Sequence, residues 1–428
     1  MMKMKKFDKN IFLIILVFLT LSLVGCVRPK PKKYDPSRVK FHASYNPTFE
    51  NQIYPSLILG FNHLMQDNDY VADSTSLLTV AVTSPAPNAV LKIVVDSTLL
   101  NYTTTTQIVM PKAGTRYTFR PNIKWKYNTL YSLKRHGSID ATIHCIINDE
   151  EVDVKNLHLN YRSSNECLLS VRDTAGKVHD FRWMFAAYVD EDSPYIDEIL
   201  TGMLEQGIVS RIVGYQSGNS MVVSQVEAIW YYVLEHGISY SSISTTSSPT
   251  LRANVQHIRF FEEVYKLRQA NCIDACVFFA SVMRKIGLKP VIFVVPGHAY
   301  LGYYTDKNRK NLKLLETTVS QWVNIPNLTK AYEQTMAANP DAKGVDRLPD
   351  DVWKKYSRYL TESERQRWIN GTMTIDQLKH AVSHYLFLKA TEYNNSDYKK
   401  NKKLFYDENQ SQYQMLDIER LRSLVQPI

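Results

Sequence analysis

The amino-acid sequence predicts a multidomain chain: an all-β sandwich first, an α+β domain next, and a helical C-terminal extension. Three observations point there. The 428 residues correspond to two or three domains at roughly 100–200 residues each. Short period-two apolar runs fill residues 41–172, whereas after Gly176 the apolar spacing becomes helical. The composition, 44% hydrophobic and 22% charged, is that of a globular protein, which excludes disordered, collagen-like and fibrous classes.

Residues 1–25 read as an export signal. Met1–Asn10 is rich in lysine, and Ile11–Val24 is an apolar run of 14 residues. That is shorter than the ~20 residues of a typical spanning helix and matches a signal-peptide core. The run ends in Leu23-Val24-Gly25-Cys26, which resembles a bacterial lipobox. The resemblance implies cleavage before Cys26 and lipidation of its thiol, with lipid chains anchoring the body at a membrane outside the cytoplasm. An uncleaved N-terminal anchor is the other reading and places the body on the same side. Residues 26–40, with three prolines and six cations, form an extended tether. Its charge either leans on anionic lipid or is simply solvated.

The net charge of +9 is concentrated in these two segments. Residues 1–25 carry +3 (Lys3, Lys5, Lys6 and Lys9 against Asp8), and residues 26–40 carry +5 (Arg28, Lys30, Lys32, Lys33, Arg38 and Lys40 against Asp35). Residues 41–428 are left with +1. A nearly neutral body lacks the basic footprint of a nucleic-acid binder.

Residues 41–172 contain strand-like runs at Leu77–Thr83, Ala89–Asp96, Thr106–Met110, Arg116–Trp125, Ile139–Ile147, Val152–Leu159 and Cys167–Arg172. Turn signals separate them, among them Pro85-Ala86-Pro87-Asn88, Ala113-Gly114 and Asn148-Asp149. About seven short strands at this spacing suggest an immunoglobulin-like sandwich.

Residues 173–330 form the α+β domain. Ser193-Pro194 starts a helix bearing Ile196, Ile199, Leu200, Met203 and Leu204, which Gly207 can end. A second helix runs from about Val223 to His236 and stops at Gly237, before a Ser/Thr-rich loop at Ser241–Thr250. A third begins near Cys272. Strand-like runs follow at Val291–Val295, His298–Thr305 and Leu312–Thr317, the last two joined by the polar turn Asp306–Asn311. In the extension, residues 331–428, Thr374 can cap a helix with Ile375, Leu378, Val382, Tyr385 and Leu386 on one face. Residues 339–350 read as loop and Leu416–Val425 as a short final helix.

Apart from Cys26 the cysteines are Cys145, Cys167, Cys272 and Cys276. Outside the cytoplasm a Cys145–Cys167 disulfide is permitted. Cys272 and Cys276 lie one helical turn apart, where a bridge would be strained, so both are expected as free thiols. There is no CxxC, HExxH, zinc-spaced His/Cys cluster or glycine-rich phosphate loop, so neither a metal nor a cofactor is implied.

The residues that carry chemistry are Cys272, His298 and Glu316. Asn271 is a good N-cap, with Asp274 placed to complete a capping box, so Cys272 falls at the first position of a helix. The free N–H groups and positive dipole end there stabilise a thiolate. Ile273, Cys276, Val277, Phe278, Phe279, Ala280, Val282, Met283 and Ile286 wrap the helix in apolar surface, which makes it central and buried. Cys276 belongs to that packing. A turn centred near residue 307 would pair His298 with Glu316 across the hairpin, on one face of the sheet. A carboxylate there orients the imidazole and favours its protonated form.

These residues resemble the transglutaminase-like superfamily, whose papain-like cores carry Cys, His and Asp in that order. The pieces are Gln256-His257-Ile258-Arg259, Ala270-Asn271-Cys272-Ile273-Asp274, Phe278-Phe279-Ala280-Ser281, Ile286-Gly287-Leu288, Val295-Pro296-Gly297-His298-Ala299 and Leu315-Glu316-Thr317-Thr318. The resemblance covers about residues 183–320, with the tail at Asp417–Pro427 as a further match. The resemblance implies Cys272 as nucleophile, His298 as general base and acid, and Glu316 as orienting carboxylate, where the usual pattern has Asp. It also offers Gln256 as an oxyanion-hole residue, although a merely structural polar residue fits Gln256 as well. For function it implies a cysteine peptidase or amidase in the cell envelope, acting on a protein or peptide, a peptidoglycan peptide among them. A cross-linking transamidase and a non-catalytic binding or structural lipoprotein on the same fold are the alternatives.

Overall fold

A computed structural model describes residues 35, 39–45, 49–61, 77–241, 246–247, 250–407 and 410–428. The signal segment, Cys26 and nearly all of the tether lie outside the described residues. The described chain is of mixed α and β content, with several sheets and twelve α-helices.

The N-terminal part contains β1 (Phe41–Tyr45), β2 (Gln52–Ile53), α1 (Pro55–Gly60), β3 (Leu78–Thr83), β4 (Ala89–Val95), β5 (Thr104–Met110), β6 (Arg116–Phe119), α2 (Tyr127–Ser132), β7 (Gly137–Ile147) and β8 (Glu150–Tyr161). One sheet has the order β1-β3-β6 and the other β2-β8-β7-β4-β5. The strands show the alternation that one buried face requires. In β4, Ala89, Leu91, Ile93 and Val95 are buried, while Val90, Lys92 and Val94 are partly exposed. Asn148 and Asp149 form the two-residue turn between β7 and β8, both at positive φ (51° and 66°), as a hairpin turn that matches the strand twist demands. The side-chain oxygen of Asn148 also accepts from the Val90 N–H at 2.9 Å, tying the turn to β4. The buried faces of both sheets feed one core through Val80 and Val82 on one side and Ile93 and Ile143 on the other.

Next come β9 (Glu166–Arg172) and β10 (Val178–Asp180), then α3 (Tyr195–Glu205), α4 (Gly218–Glu235), β11 (Ser239–Tyr240), β12 (Thr246–Ser247), β13 (Ala253–His257), α5 (Phe261–Leu267) and β14 (Gln269–Ala270). The run at 167–172 is a strand, but it joins neither sheet of the N-terminal part. β9 pairs with β13, in the order β10-β9-β13-β12. Cys145 on β7 and Cys167 on β9 therefore sit in different sheets, and both are free, buried thiols. Helix α3 starts at Tyr195, one residue later than a Ser193 cap with Pro194 at the first position would give. It lies against α4 through Gly202: a Cβ there would stand 2.6 Å from the ring of Tyr232, so no larger residue fits this crossing.

The third part is α6 (Cys272–Lys285), β15 (Pro290–Val295), β16 (His298–Tyr304), β17 (Leu312–Leu315), α7 (Ile325–Ala338), α8 (Asp350–Ser357), α9 (Glu362–Ile369), α10 (Ile375–Tyr393), α11 (Asn395–Asn401), β18 (Gln414–Asp417) and α12 (Ile418–Leu421). Its antiparallel sheet has the order β17-β16-β15-β18, and α6 packs on β15 and β16. The final segment corrects the expected helix at 416–425. Met415 and Leu416 instead pair with Phe293 and Ile292, and only a four-residue helix follows, capped by Asp417. An open strand edge at β15 offers ladder hydrogen bonds that outweigh the weak helical preference of so short a run. Thr374 caps α10 as the pattern requires, its hydroxyl accepting from the Gln377 N–H. Tyr385, placed on the apolar face by its spacing, is exposed, and Phe387 takes the buried position.

Candidate active site

The site starts from the head of α6. The Asn271 side chain accepts from the Asp274 N–H at 2.8 Å, and the Asp274 carboxylate accepts from the Asn271 N–H at 3.0 Å. This reciprocal capping box satisfies two of the N–H groups a helix start leaves open. Asp274 is fully buried and also accepts from the Arg259 backbone N–H (2.9 Å) and guanidinium (2.7 Å). Its work is to anchor the helix start. Cys272, the first residue of α6, is half-buried, whereas Cys276 one turn on is completely buried. Burial pushes the Cys276 thiol well above its usual range, because a thiolate there would lose its solvation.

His298 is supplied by the turn before β16. Val295 pairs with His298 across Pro296-Gly297, and Gly297 takes φ 72°, which the second corner of so tight a turn requires. The imidazole is one-third exposed, and its Nε2 lies 2.8 Å from Oε2 of Glu316. The Cys272 side chain interacts electrostatically with the imidazole. With Nε2 engaged by Glu316, Nδ1 is the nitrogen left for the sulfur. The Cys272 side chain first, and then the bond to Glu316, push the imidazole up to about 10, against the opposing effect of burial. The arrangement therefore favours an imidazolium.

Glu316 reaches His298 by a diagonal. The ladder pairs Leu301 with Leu315 and Tyr304 with Leu312, so the hairpin centres on residue 308 and not 307. Glu316 would then stand opposite Tyr300, two residues from His298. A slip of two preserves the face of the sheet, because the side-chain period is two. Glu316 follows β17 and caps the short 3-10 turn Thr317–Trp322. Its carboxylate, 1% exposed, has four donors. Oε1 accepts from the Thr318 N–H (3.0 Å) and hydroxyl (2.7 Å), and Oε2 accepts from His298 and from Nδ2 of Asn394 (2.7 Å). Burial alone would raise this carboxyl, but the His298 bond and charge, with Thr318 and Asn394, hold it below the usual range.

The remaining residues divide. Gln256, on β13, donates from its amide nitrogen to the carbonyl of His257 at 3.0 Å, so this group is engaged by its own strand. Tyr240 was not singled out by sequence, yet it stands near the site: burial, then the charges of Cys272 and Glu316, raise its phenol. It lines a small recess of about 10 Å³ with Ala270, Ala275, Phe278 and Thr317. A cleft of about 960 Å³ is lined by Asp197, Glu235, Tyr231, Tyr232 and His380 among others and by none of Cys272, His298 and Glu316. Asn394 and Thr318 also carried no sequence signal. Asn394 is 78 residues from the carboxylate it bonds, and Thr318 is indistinguishable from its threonine neighbour.

The chain matches no protein-family model, and no curated protein is similar to it.

Proposed function

We propose that the chain is a membrane-anchored, extracytoplasmic thiol enzyme of transglutaminase-like type that hydrolyses amide bonds in a protein or peptide. The observation that carries this reading is the convergence of Cys272, His298 and Glu316: the sulfur at a helix head, the imidazole in electrostatic interaction with it, and the imidazole bonded at 2.8 Å to a buried carboxylate. The residue types match an activated nucleophile, its base and an orienting acid. The quoted sequence pieces, and a helix packed on an antiparallel sheet with Cys at the helix head and His on the adjoining strand, support a transglutaminase- or papain-like domain. The two sheets within residues 41–161 support an immunoglobulin-like sandwich ahead of it. The lipobox supports a lipid anchor at Cys26 in a bacterial envelope.

In this reading the Cys272 thiolate attacks the amide carbonyl carbon, and the carbonyl π pair moves onto oxygen. The Cys272 backbone N–H, at the open end of α6, faces the oxyanion. His298 gives its proton to the departing nitrogen as the C–N bond breaks, leaving a thioester on Cys272 and a free amine. His298, now neutral, takes a proton from water as the water oxygen attacks the thioester. Breakage of the C–S bond releases a carboxylic acid and restores the pair. Glu316 holds the imidazole through both halves. Since His298 is one-third exposed, water reaches the thioester, which favours hydrolysis over transfer to an amine.

Reaction of the full chain with iodoacetamide at neutral pH tests this. Cys272 should be modified much faster than Cys276, and His298→Ala should slow it at least tenfold by removing the cation beside the sulfur. Labelling of Cys272 no faster than an ordinary cysteine, and insensitive to His298, would replace the enzyme with a non-catalytic lipoprotein on the same scaffold.

A further inference from the structure

The carboxylate of Glu316 is held from a distant part of the chain. Its backbone N–H donates to the carbonyl of Ala390 at 2.9 Å, and its Oε2 accepts from the Asn394 amide at 2.7 Å. Both partners belong to the C-terminal end of α10, Asn394 being the residue after Tyr393. Asn394 is buried and stands at the junction of α10 and α11. Asparagine is among the best N-cap residues, yet this side chain makes no capping bond to α11. Its amide is turned to Glu316 instead.

The oxygen it bonds is the one that faces Nε2 of His298. With Thr318 filling the other oxygen, two donors per oxygen set the plane of the carboxylate. Without Asn394, Oε2 would keep His298 alone, and the carboxylate could turn about its last bond. A buried carboxylate that loses a donor also becomes easier to protonate, and a protonated Glu316 no longer stabilises an imidazolium. We propose that Asn394 is a positioning residue of the site: its amide locks Oε2 of Glu316 against His298, so that docking of the end of α10 is required for the full reactivity of Cys272. This rests on the reading of Cys272, His298 and Glu316 as a triad.

The test is the pH–rate profile of Cys272 modification by iodoacetamide in the full chain, read by mass spectrometry of the labelled peptide. Asn394→Leu removes the donor at similar volume and should slow modification at neutral pH roughly tenfold, the scale of a hydrogen bond to a charged group. Asn394→Asp keeps the size and shape of the side chain, so it serves where the leucine variant does not fold. It sets a second carboxylate against Glu316 and should move the acid limb of the profile upward by about a pH unit or more. In a Glu316→Gln background neither change should add a comparable effect, because Asn394 acts only through that carboxylate. A folded Asn394 variant with the wild-type profile overturns the proposal, as does an effect fully additive with Glu316→Gln. Cys272 labelling that does not depend on His298 sinks the triad and this proposal together. Labelling that depends on His298 but not on Asn394 sinks this proposal alone.

Discussion

Replacing Glu316 by aspartate should disable the proposed site. The side chain shortens by one methylene, drawing the carboxylate back by about 1.5 Å. The backbone cannot follow, because the Glu316 N–H is bonded to Ala390 and Leu315 is paired with Leu301. The 2.8 Å bond to His298 then opens to about 4 Å, past the limit of a hydrogen bond, and so does the 2.7 Å bond from Asn394. A hydrogen bond to a charged group contributes about 1.5–3 kcal/mol. His298 is one-third exposed, so the lower end applies to it, and 1.4 kcal/mol corresponds to tenfold. Modification of Cys272 by iodoacetamide at pH 7 should therefore slow about tenfold in Glu316→Asp. Glu316→Gln, which keeps the reach and loses the charge, should slow it to a similar degree. Wild-type rates in a folded Glu316→Asp chain would show that the diagonal contact is not what activates the imidazole.

Three other perturbations test separate links. Asp274→Ala leaves the buried face of Arg259 without its carboxylate and opens the head of α6. Losing one partner of a buried pair costs about 3–5 kcal/mol, so the thermal midpoint should fall by roughly 10 °C, while Cys272→Ala should leave it almost unchanged. The stability that His298 adds should depend on pH with a defined sign. Its folded value, about 10, lies above the unfolded 6.5, so the contribution is complete below 6.5 and lost as pH rises toward 10. That of Glu316, held below 4.5, is complete above 4.5 and lost as pH falls through the folded value. Melting curves of wild type and His298→Ala should therefore differ most between 4.5 and 6.5 and converge toward pH 10; a gap that widens with pH would contradict the ion pair. Finally, Cys26→Ser should abolish incorporation of labelled fatty acid into the chain, and undiminished labelling would remove the lipid anchor.

What could be read from the sequence alone was short-range. The capping box of Asn271 and Asp274 spans four residues, so the head of α6, and with it the contrast between half-buried Cys272 and fully buried Cys276, followed from local spacing. The shared face of His298 and Glu316 followed from the period of two, which survives an error of two in register. Register itself was decided by the turn. The Asp306 carboxylate gathers the N–H groups of Asn308, Lys310 and Asn311, and Thr305 then bonds Asn311. Together these shift the centre of the hairpin to 308 and turn an opposed pair into a diagonal one. Tertiary structure alone brought Asn394 to Glu316, β9 to β13 and β18 to β15. Each joins segments about 80 to 120 residues apart. No local preference specifies such partners: they are set by which apolar faces bury together and which strand edges remain open to pair.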